Sequence, residues 1–256
     1  MKIIKITGAS SGIGRATALK FAQQGYHVVI SARRTDKLKD VVSAAKGLSG
    51  RITSYEEDVT QLDMVRDVYA KMLNDIGHPD IVFLNAGISI HATIQDFDPN
   101  IYDKIYQTNQ KGIINGLDPA MRDMMQRRSG HIALTASLAG YRGMPTATGY
   151  CMTKAALINL AEGLRPELQR YNVGLQLVNP GFVRTAMTDK NEFPMPFMIE
   201  AEEAADILFR ELGTDRREII FPKTFGYLMR FYRILPGWCI EKIGQKILRK
   251  RLTPSD

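Results

Sequence analysis

Seven short β-rich runs alternate with longer stretches of helical spacing, and this alternation constrains the fold of the chain more than any other feature. The runs lie at 3–7, 27–32, 51–56, 81–85, 131–135, 173–178 and 218–221. Val28-Val29-Ile30 and Ile81-Val82-Phe83-Leu84 are wholly apolar, which suits strands covered on both faces. Helices are predicted between the runs at about 13–24, 36–46, 63–75, 99–127, 149–170 and 199–212. In the first of these, Ile13, Thr17, Ala18, Phe21 and Ala22 recur at helical spacing. Strand, helix, strand repeated in this way demands right-handed crossovers and a mostly parallel sheet. The expectation is a single α/β domain, doubly wound, with about seven parallel strands and helices on both faces. Residues 1–221 would form this domain, and 222–256 would extend it. Ligands of such a sheet lie beyond the carboxyl ends of its strands, so the informative residues should follow each strand.

Composition narrows the class. With 256 residues, 45% hydrophobic and 24% charged, the chain reads as an ordinary globular protein rather than a disordered one. Cys151 and Cys239 have no CxxC spacing, and His27, His78, His91 and His131 form no HxxxH or HxH pair. Neither a disulfide scaffold nor a metal site is expected. No apolar run approaches the ~20 residues that a membrane-spanning helix needs, and the opening Met-Lys-Ile-Ile-Lys-Ile is too short for a signal peptide. A reduced, cytoplasmic protein is expected. The net charge of +7 is local: residues 222–256 hold eight Lys and Arg against Glu241 and Asp256, or +6, leaving +1 for the body.

After the first run comes Thr7-Gly8-Ala9-Ser10-Ser11-Gly12-Ile13-Gly14, followed at once by a helical pattern. Small residues there let the backbone turn tightly and approach a pyrophosphate, with the helix-start amides facing the anion. A Gly/Ser-rich turn alone is weak evidence; its place at the end of the first strand strengthens it. Later in the chain stands Tyr150-Cys151-Met152-Thr153-Lys154. Tyr and Lys four apart share a helix face, so an ammonium can approach the phenol. A phenol ionises near pH ~10, and a neighbouring cation is expected to bring that value down toward the working range. Ser137, at the end of the fifth run, precedes Tyr150 by 13 residues, an interval that lets both reach one cleft. Cys151 points elsewhere round the helix and reads as packing rather than a nucleophile.

The spacing Thr-Gly-x-x-x-Gly-x-Gly resembles that of the short-chain dehydrogenase/reductase family, and the likeness extends to about Phe221. The resemblance implies a Rossmann-type fold and a nicotinamide cofactor cradled by Gly8, Ser10, Ser11, Gly12, Ile13 and Gly14. Asp58-Val59 looks like the family's adenine contact. Asn85-Ala86-Gly87 resembles its Asn-Asn-Ala-Gly motif, with Leu84 in place of the first Asn. Asn179-Pro180-Gly181-Phe182-Val183-Arg184-Thr185 is similar to its Pro-Gly segment, where Val183 and Thr185 would hold the carboxamide. The resemblance also implies a catalytic tetrad. Asn109 would anchor a water, Ser137 would bond the substrate oxygen, Tyr150 would transfer the proton, and Lys154 would bind the ribose and tune Tyr150. A homodimer or homotetramer built on the helices carrying Asn109 and Tyr150 is implied as well.

The second run ends Ala32-Arg33-Arg34, with Arg33 standing 19 residues after Gly14 and no carboxylate at the strand end. Arginine there accommodates the 2′-phosphate of NADP, so NADP(H) is favoured over NAD(H). Thr35-Asp36 reads as the cap of the second helix rather than a ribose contact. A substrate lid is expected at about 186–212. Its stretch Met187-Thr188-Asp189-Lys190-Asn191-Glu192-Phe193-Pro194-Met195-Pro196-Phe197-Met198 is rich in Met, Phe and Pro, suiting a hydrophobic carbonyl or alcohol unless it packs on its own domain.

In the extension, Phe225, Tyr227, Leu228, Phe231, Tyr232, Ile234, Leu235 and Trp238 mingle with Arg230 and Arg233. Beyond them Ile240, Ile243 and Ile247 recur at helical spacing beside Lys242, Lys246, Arg249 and Lys250. Such a profile fits an anionic membrane surface over 223–252, or a helix pair covering the cleft or a neighbouring subunit. Nucleic acid is not expected, since no groove-reading motif accompanies the charge. The sequence thus points to an NADP(H)-dependent oxidoreductase interconverting a carbonyl and a secondary alcohol. Its rivals are an NAD(H)-dependent alcohol dehydrogenase, a non-catalytic NADP(H)-binding redox sensor and a membrane-surface scaffold.

Overall fold

A computed structural model of the chain describes residues 1–191 and 193–252, without the side chains of residues 249–252. Glu192 of the expected lid, Asp256, and the side chains of Arg249, Lys250 and Arg251 in the basic tail therefore lie outside the described residues. The strands are β1 (Ile3–Thr7), β2 (His27–Ala32), β3 (Arg51–Glu56), β4 (Ile81–Leu84), β5 (His131–Thr135), β6 (Gly174–Pro180) and β7 (Glu218–Phe221). They form one seven-stranded sheet in the order β3-β2-β1-β4-β5-β6-β7, and every pairing in it is parallel. From β1 the chain winds outward to β3, then crosses to β4 and winds the other way. The carboxyl ends of β1 and β4 are the point of divergence, and a crevice opens there.

The helices are α1 (Gly12–Gln23), α2 (Thr35–Ala44), α3 (Leu62–Asp75), α4 (Pro99–Tyr106), α5 (Gly112–Arg127), α6 (Thr148–Gln169), α7 (Ala201–Glu211), α8 (Lys223–Ile234) and α9 (Gly237–Leu252). Alternate residues of the central strands feed two separate cores. Ile4, Ile6, Val28, Ile30 and Phe83 pack under Phe21 of α1, Leu38 of α2 and Leu208 of α7. Val29, Val82, Leu84 and Ile132 pack under Met72 of α3, Leu117 of α5 and Leu157 of α6. Burial on both faces explains why these strands lack a polar period.

Three local readings change. The helix predicted at 99–127 is two helices joined by a π-helical segment, Gln107–Lys111. The extra residue per turn accompanies an inward-facing Asn109 that is fully buried, a placement often found at functional sites. The start of α2 is also different: Arg34, not Thr35 or Asp36, occupies the cap position, and no side chain caps the helix. Asp36 lies in the first turn, where its charge meets the positive end of the helix dipole. Finally, β6 runs on through Asn179 and Pro180, beyond the predicted 173–178.

β1 also holds an ion pair. Lys5 lies level with Val29 and Val82 in the sheet, is fully buried, and places Nζ 2.5 Å from Oε2 of the equally buried Glu57. Removing one partner of such a pair strands a charge in the core, whereas removing both need not destabilise. Lys5→Met should therefore cost about 3–5 kcal/mol in urea unfolding, and Lys5→Met with Glu57→Leu should recover most of the loss. Equal losses in the single and double variants would contradict this account.

Candidate active site

The crevice is a cleft of about 530 Å³. Its walls are formed by Gly8, Ser10, Ser11, Gly12 and Ile13 after β1, Arg33 and Arg34 after β2, Asp58 and Val59 after β3, and Asn85, Ala86 and Gly87 after β4. Ser137, Tyr150, Lys154, Pro180, Gly181, Val183 and Thr185 complete them. Gly14 and Asn109 stand behind the wall rather than in it.

The glycine turn is built by close approach. Gly8 and Gly12 have positive φ (+68° and +55°), and a Cβ on Gly8 would lie 2.6 Å from Cα of Ala86. A Cβ on Gly14 would lie 2.7 Å from both Asn85 Nδ2 and the Gly8 carbonyl oxygen. Gly14 thus serves the packing of α1 against the strand ends, not the ligand face. Ser11 caps α1 with extended backbone but no side-chain hydrogen bond, and the first turn has no acidic residue. The Arg34 guanidinium reaches back across the turn, Nη2 donating to the hydroxyls of Ser10 and Ser11 at 2.9 Å each. Helix-start amides, two hydroxyls and a guanidinium facing one cleft, without a carboxylate at the helix start, make a site for phosphate. The residues fit a dinucleotide. Arg34 rather than Arg33 joins the turn, a distinction that spacing alone did not make.

Asn85 ties the floor together. Its backbone N–H donates to Thr7 Oγ1 at 3.0 Å, its Nδ2 donates to the Thr7 carbonyl at 3.2 Å, and its Oδ1 accepts from Thr135 Oγ1 at 3.3 Å. The ends of β1, β4 and β5 are thereby joined through one side chain. Asp58 accepts from the backbone N–H and hydroxyl of Thr60, while the Val59 carbonyl accepts from Asn115.

Tyr150 enters the cleft from the first turn of α6, and Lys154 follows one turn later. Lys154 Nζ lies 5.5 Å from the Tyr150 ring centroid but donates its hydrogen bond to the Thr135 carbonyl at 2.7 Å. Burial lowers the Lys154 pKa to about 7. The Tyr150 phenol is pushed up to about 12 by burial, with Ser137 acting in the opposite direction. The expectation that Lys154 would bring the phenol down is not met: burial is the largest cause of the Tyr150 shift, and no lowering by the Lys154 charge accompanies it. Ser137 Oγ accepts from the Ala139 N–H at 3.1 Å and faces the Pro180 carbonyl at 3.3 Å. Asn109 touches neither Tyr150 nor Lys154 through any hydrogen bond among the described residues. It accepts from the Ile88 N–H at 2.7 Å and donates to the Ile88 carbonyl at 2.8 Å and to Thr153 at 3.3 Å. Cys151 is buried, and burial raises its thiol pKa, as suits a packing residue.

Sequence reasoning missed Thr135 and Ala136 at the end of β5, Ile88 and Ser89 beyond Gly87, and Thr108. Most follow a strand end, which was the available signal. The lid behaves differently from its composition. Met187, Thr188 and Lys190 line the cleft, and Thr188 Oγ1 donates to the Val183 carbonyl at 2.8 Å, holding a tight turn. Phe193 and Phe197 are absent from the lining. Phe193 packs against Phe182 and His91, and Phe197 stacks on Phe225. These aromatic rings pack on their own domain, because Phe182 and Phe225 offer apolar faces within reach.

The short chain dehydrogenase family model matches residues 2–194. The chain belongs to the short-chain dehydrogenase family of oxidoreductases. It is 31% identical over 242 residues to an uncharacterized oxidoreductase of Myxococcus xanthus, covering 94% of this chain and 96% of that one. It is 34% identical over 235 residues to the 3-oxoacyl-(acyl-carrier-protein) reductase of Thermotoga maritima, covering 88% and 95%. Among solved structures, a short-chain type dehydrogenase/reductase from Mycobacterium marinum superposes with a TM-score of 0.78 at 30% identity, covering 86% of this chain and 93% of that one.

The lowered Lys154 pKa has a measurable sign. Between its folded value of about 7 and its ordinary 10.5, the unfolded chain holds a proton that the folded chain lacks. Stability from this group therefore rises with pH across that window. Carbon-labelled lysine NMR, assigned with Lys154→Met, should show one resonance titrating near pH 7. Titration of all lysines near pH ~10 would refute the burial argument.

Proposed function

We propose that this chain reduces a carbonyl group to a secondary alcohol with NADP(H), on a hydrophobic substrate. One observation carries the reading: Ser137, Tyr150 and Lys154 line the same cleft as the phosphate-binding turn. When bound in the cleft, the cofactor would supply the hydride that the carbonyl carbon requires. The chain's own residues do the rest. Ser137 holds the substrate oxygen, and Tyr150 Oη gives it a proton as the C=O π bond becomes C–O–H. A phenol held protonated across the neutral range is suited to that donation, which favours reduction over oxidation. Lys154 lies beside the ring and titrates near neutrality, so it can return a proton to Tyr150. Asn109 is a positioning residue, fixing Ile88 at the back of the cleft through both backbone groups.

Arg34, already turned onto Ser10 and Ser11, and Arg33 beside it supply the charge that a 2′-phosphate requires. Hydrophobic substrates are supported by Met187 and Ile88 in the lining. The Thermotoga maritima relative is named as a reductase of an acyl chain, in keeping with this reading. Exposed Tyr106, Ile114 and Met152 on the helices around Asn109 and Tyr150 support assembly into a homodimer or homotetramer.

NADPH should raise the melting temperature far more than NADH, and Arg33→Ala with Arg34→Ala should weaken NADPH about 10–100-fold while sparing NADH. Equal stabilisation by both cofactors would favour the NAD(H) alternative. On a panel of carbonyl compounds, Tyr150→Phe should lower turnover by about 10²–10⁴-fold with cofactor binding retained. NADPH binding without turnover of any carbonyl by the wild type would point to a redox sensor instead.

A further inference from the structure

The helix α8 is apolar on two opposite sides. Phe225 and Met229 face inward and join the core. Tyr227, Leu228, Phe231 and Ile234 face outward, at 69%, 53%, 59% and 75% exposure, and Trp238 at the start of α9 follows at 61%. At 100° per residue, positions 227, 228, 231 and 234 form a single stripe opposite the buried one. The stripe is held in place. Arg230 pairs with Glu218 of β7 at 2.6 Å, and Arg142 donates to the Arg233 and Leu235 carbonyls at the end of the helix. Phe225 stacks on Phe182, whose neighbours Gly181 and Val183 line the cleft. A rigid aromatic ridge is thus presented to solvent beside the active site.

Cations surround the ridge. Lys223, Lys242 and Lys246 are exposed and have no ion pair among the described residues, and Lys242 Nζ lies 5.2 Å above the Trp238 ring. Residues 222–256 carry +6 of the chain's +7. No described helix is long and apolar enough to cross a membrane. We propose that α8 and α9 dock this chain onto the surface of an anionic lipid bilayer, with Tyr227, Phe231, Ile234 and Trp238 immersed at headgroup level. Tyr and Trp favour that depth, and lysines beside them meet the anionic headgroups. A second copy of the chain fits less well, because a twofold contact would set one basic cluster against its own image. The docked face brings the aromatic stack leading to the cleft close to the lipid, which suits delivery of an apolar carbonyl from the bilayer. That consequence rests on the proposed reductase reading, whereas the docking does not.

Trp238 is the chain's single tryptophan, so its fluorescence reports on the ridge directly. The full chain, without cofactor or substrate, would be mixed with vesicles of phosphatidylcholine alone or phosphatidylcholine with phosphatidylglycerol. With phosphatidylglycerol present, the emission should shift to the blue and the protein should co-sediment, both effects weakening at high ionic strength. Lys242→Glu with Lys246→Glu should weaken binding at least about tenfold. Phe231→Ser should weaken it with the melting temperature unchanged, since the side chain supports no core. An unshifted emission and no sedimentation would overturn the proposal. A shift that depends on protein concentration without vesicles would overturn it in favour of self-association. A shift with polyglutamate but not with vesicles would overturn it in favour of an acidic protein partner.

Discussion

The cleft depends on a meeting of three strand ends. Where β1, β4 and β5 stop, their backbone groups leave the sheet's hydrogen-bond ladder and must find partners or water. Asn85, Thr7 and Thr135 supply those partners to one another, which fixes the floor of the crevice without filling it. Gly8 and Gly14 bring the phosphate turn and α1 down onto that floor at distances no side chain would allow. The turn, the floor and the first turn of α6 therefore behave as one rigid unit. Residues from distant parts of the chain can then face a common ligand with little reorganisation.

Within this unit, burial drives the pKa values of Tyr150 and Lys154 apart, the phenol up to about 12 and the amine down to about 7. The amine becomes the more easily discharged of the two, and the phenol stays a proton donor over the neutral range. This separation follows from desolvation at the cleft wall, where Lys154 is buried and Tyr150 is half-buried. Asn109, a polar group that could have opposed burial, is committed to Ile88.

The C-terminal helices are joined to the site physically rather than appended to it. Glu218 accepts from Tyr141, Asn179 and Arg230, linking the segment before α6, the end of β6 and α8 through one carboxylate. A Cβ on Gly244 of α9 would lie 3.6 Å from Pro145, five residues before Tyr150. One side of this helix pair completes the domain, and the other remains apolar and basic.

Much of this was legible in the sequence because it is local. The strand–helix alternation, the small residues after β1 and the Tyr150–Lys154 spacing each state their consequence within a few residues, through pleat, helical period or the lack of a Cβ. What the sequence did not show is what stands opposite. Lys5 reads as one polar residue in an apolar strand until Glu57, 52 positions on, is placed against it. Arg33 and Arg34 look equivalent until the path out of β2 turns one of them onto Ser10 and Ser11. The aromatic lid looks like a substrate surface until Phe182 and Phe225 are there to receive it. The sequence by itself determined the fold class, the family and the phosphate turn, since periodicity and backbone freedom are properties of the chain. Only the tertiary structure decided the partners of the buried charges, the direction of the two pKa shifts and the outward side of α8, since those depend on which groups lose water together.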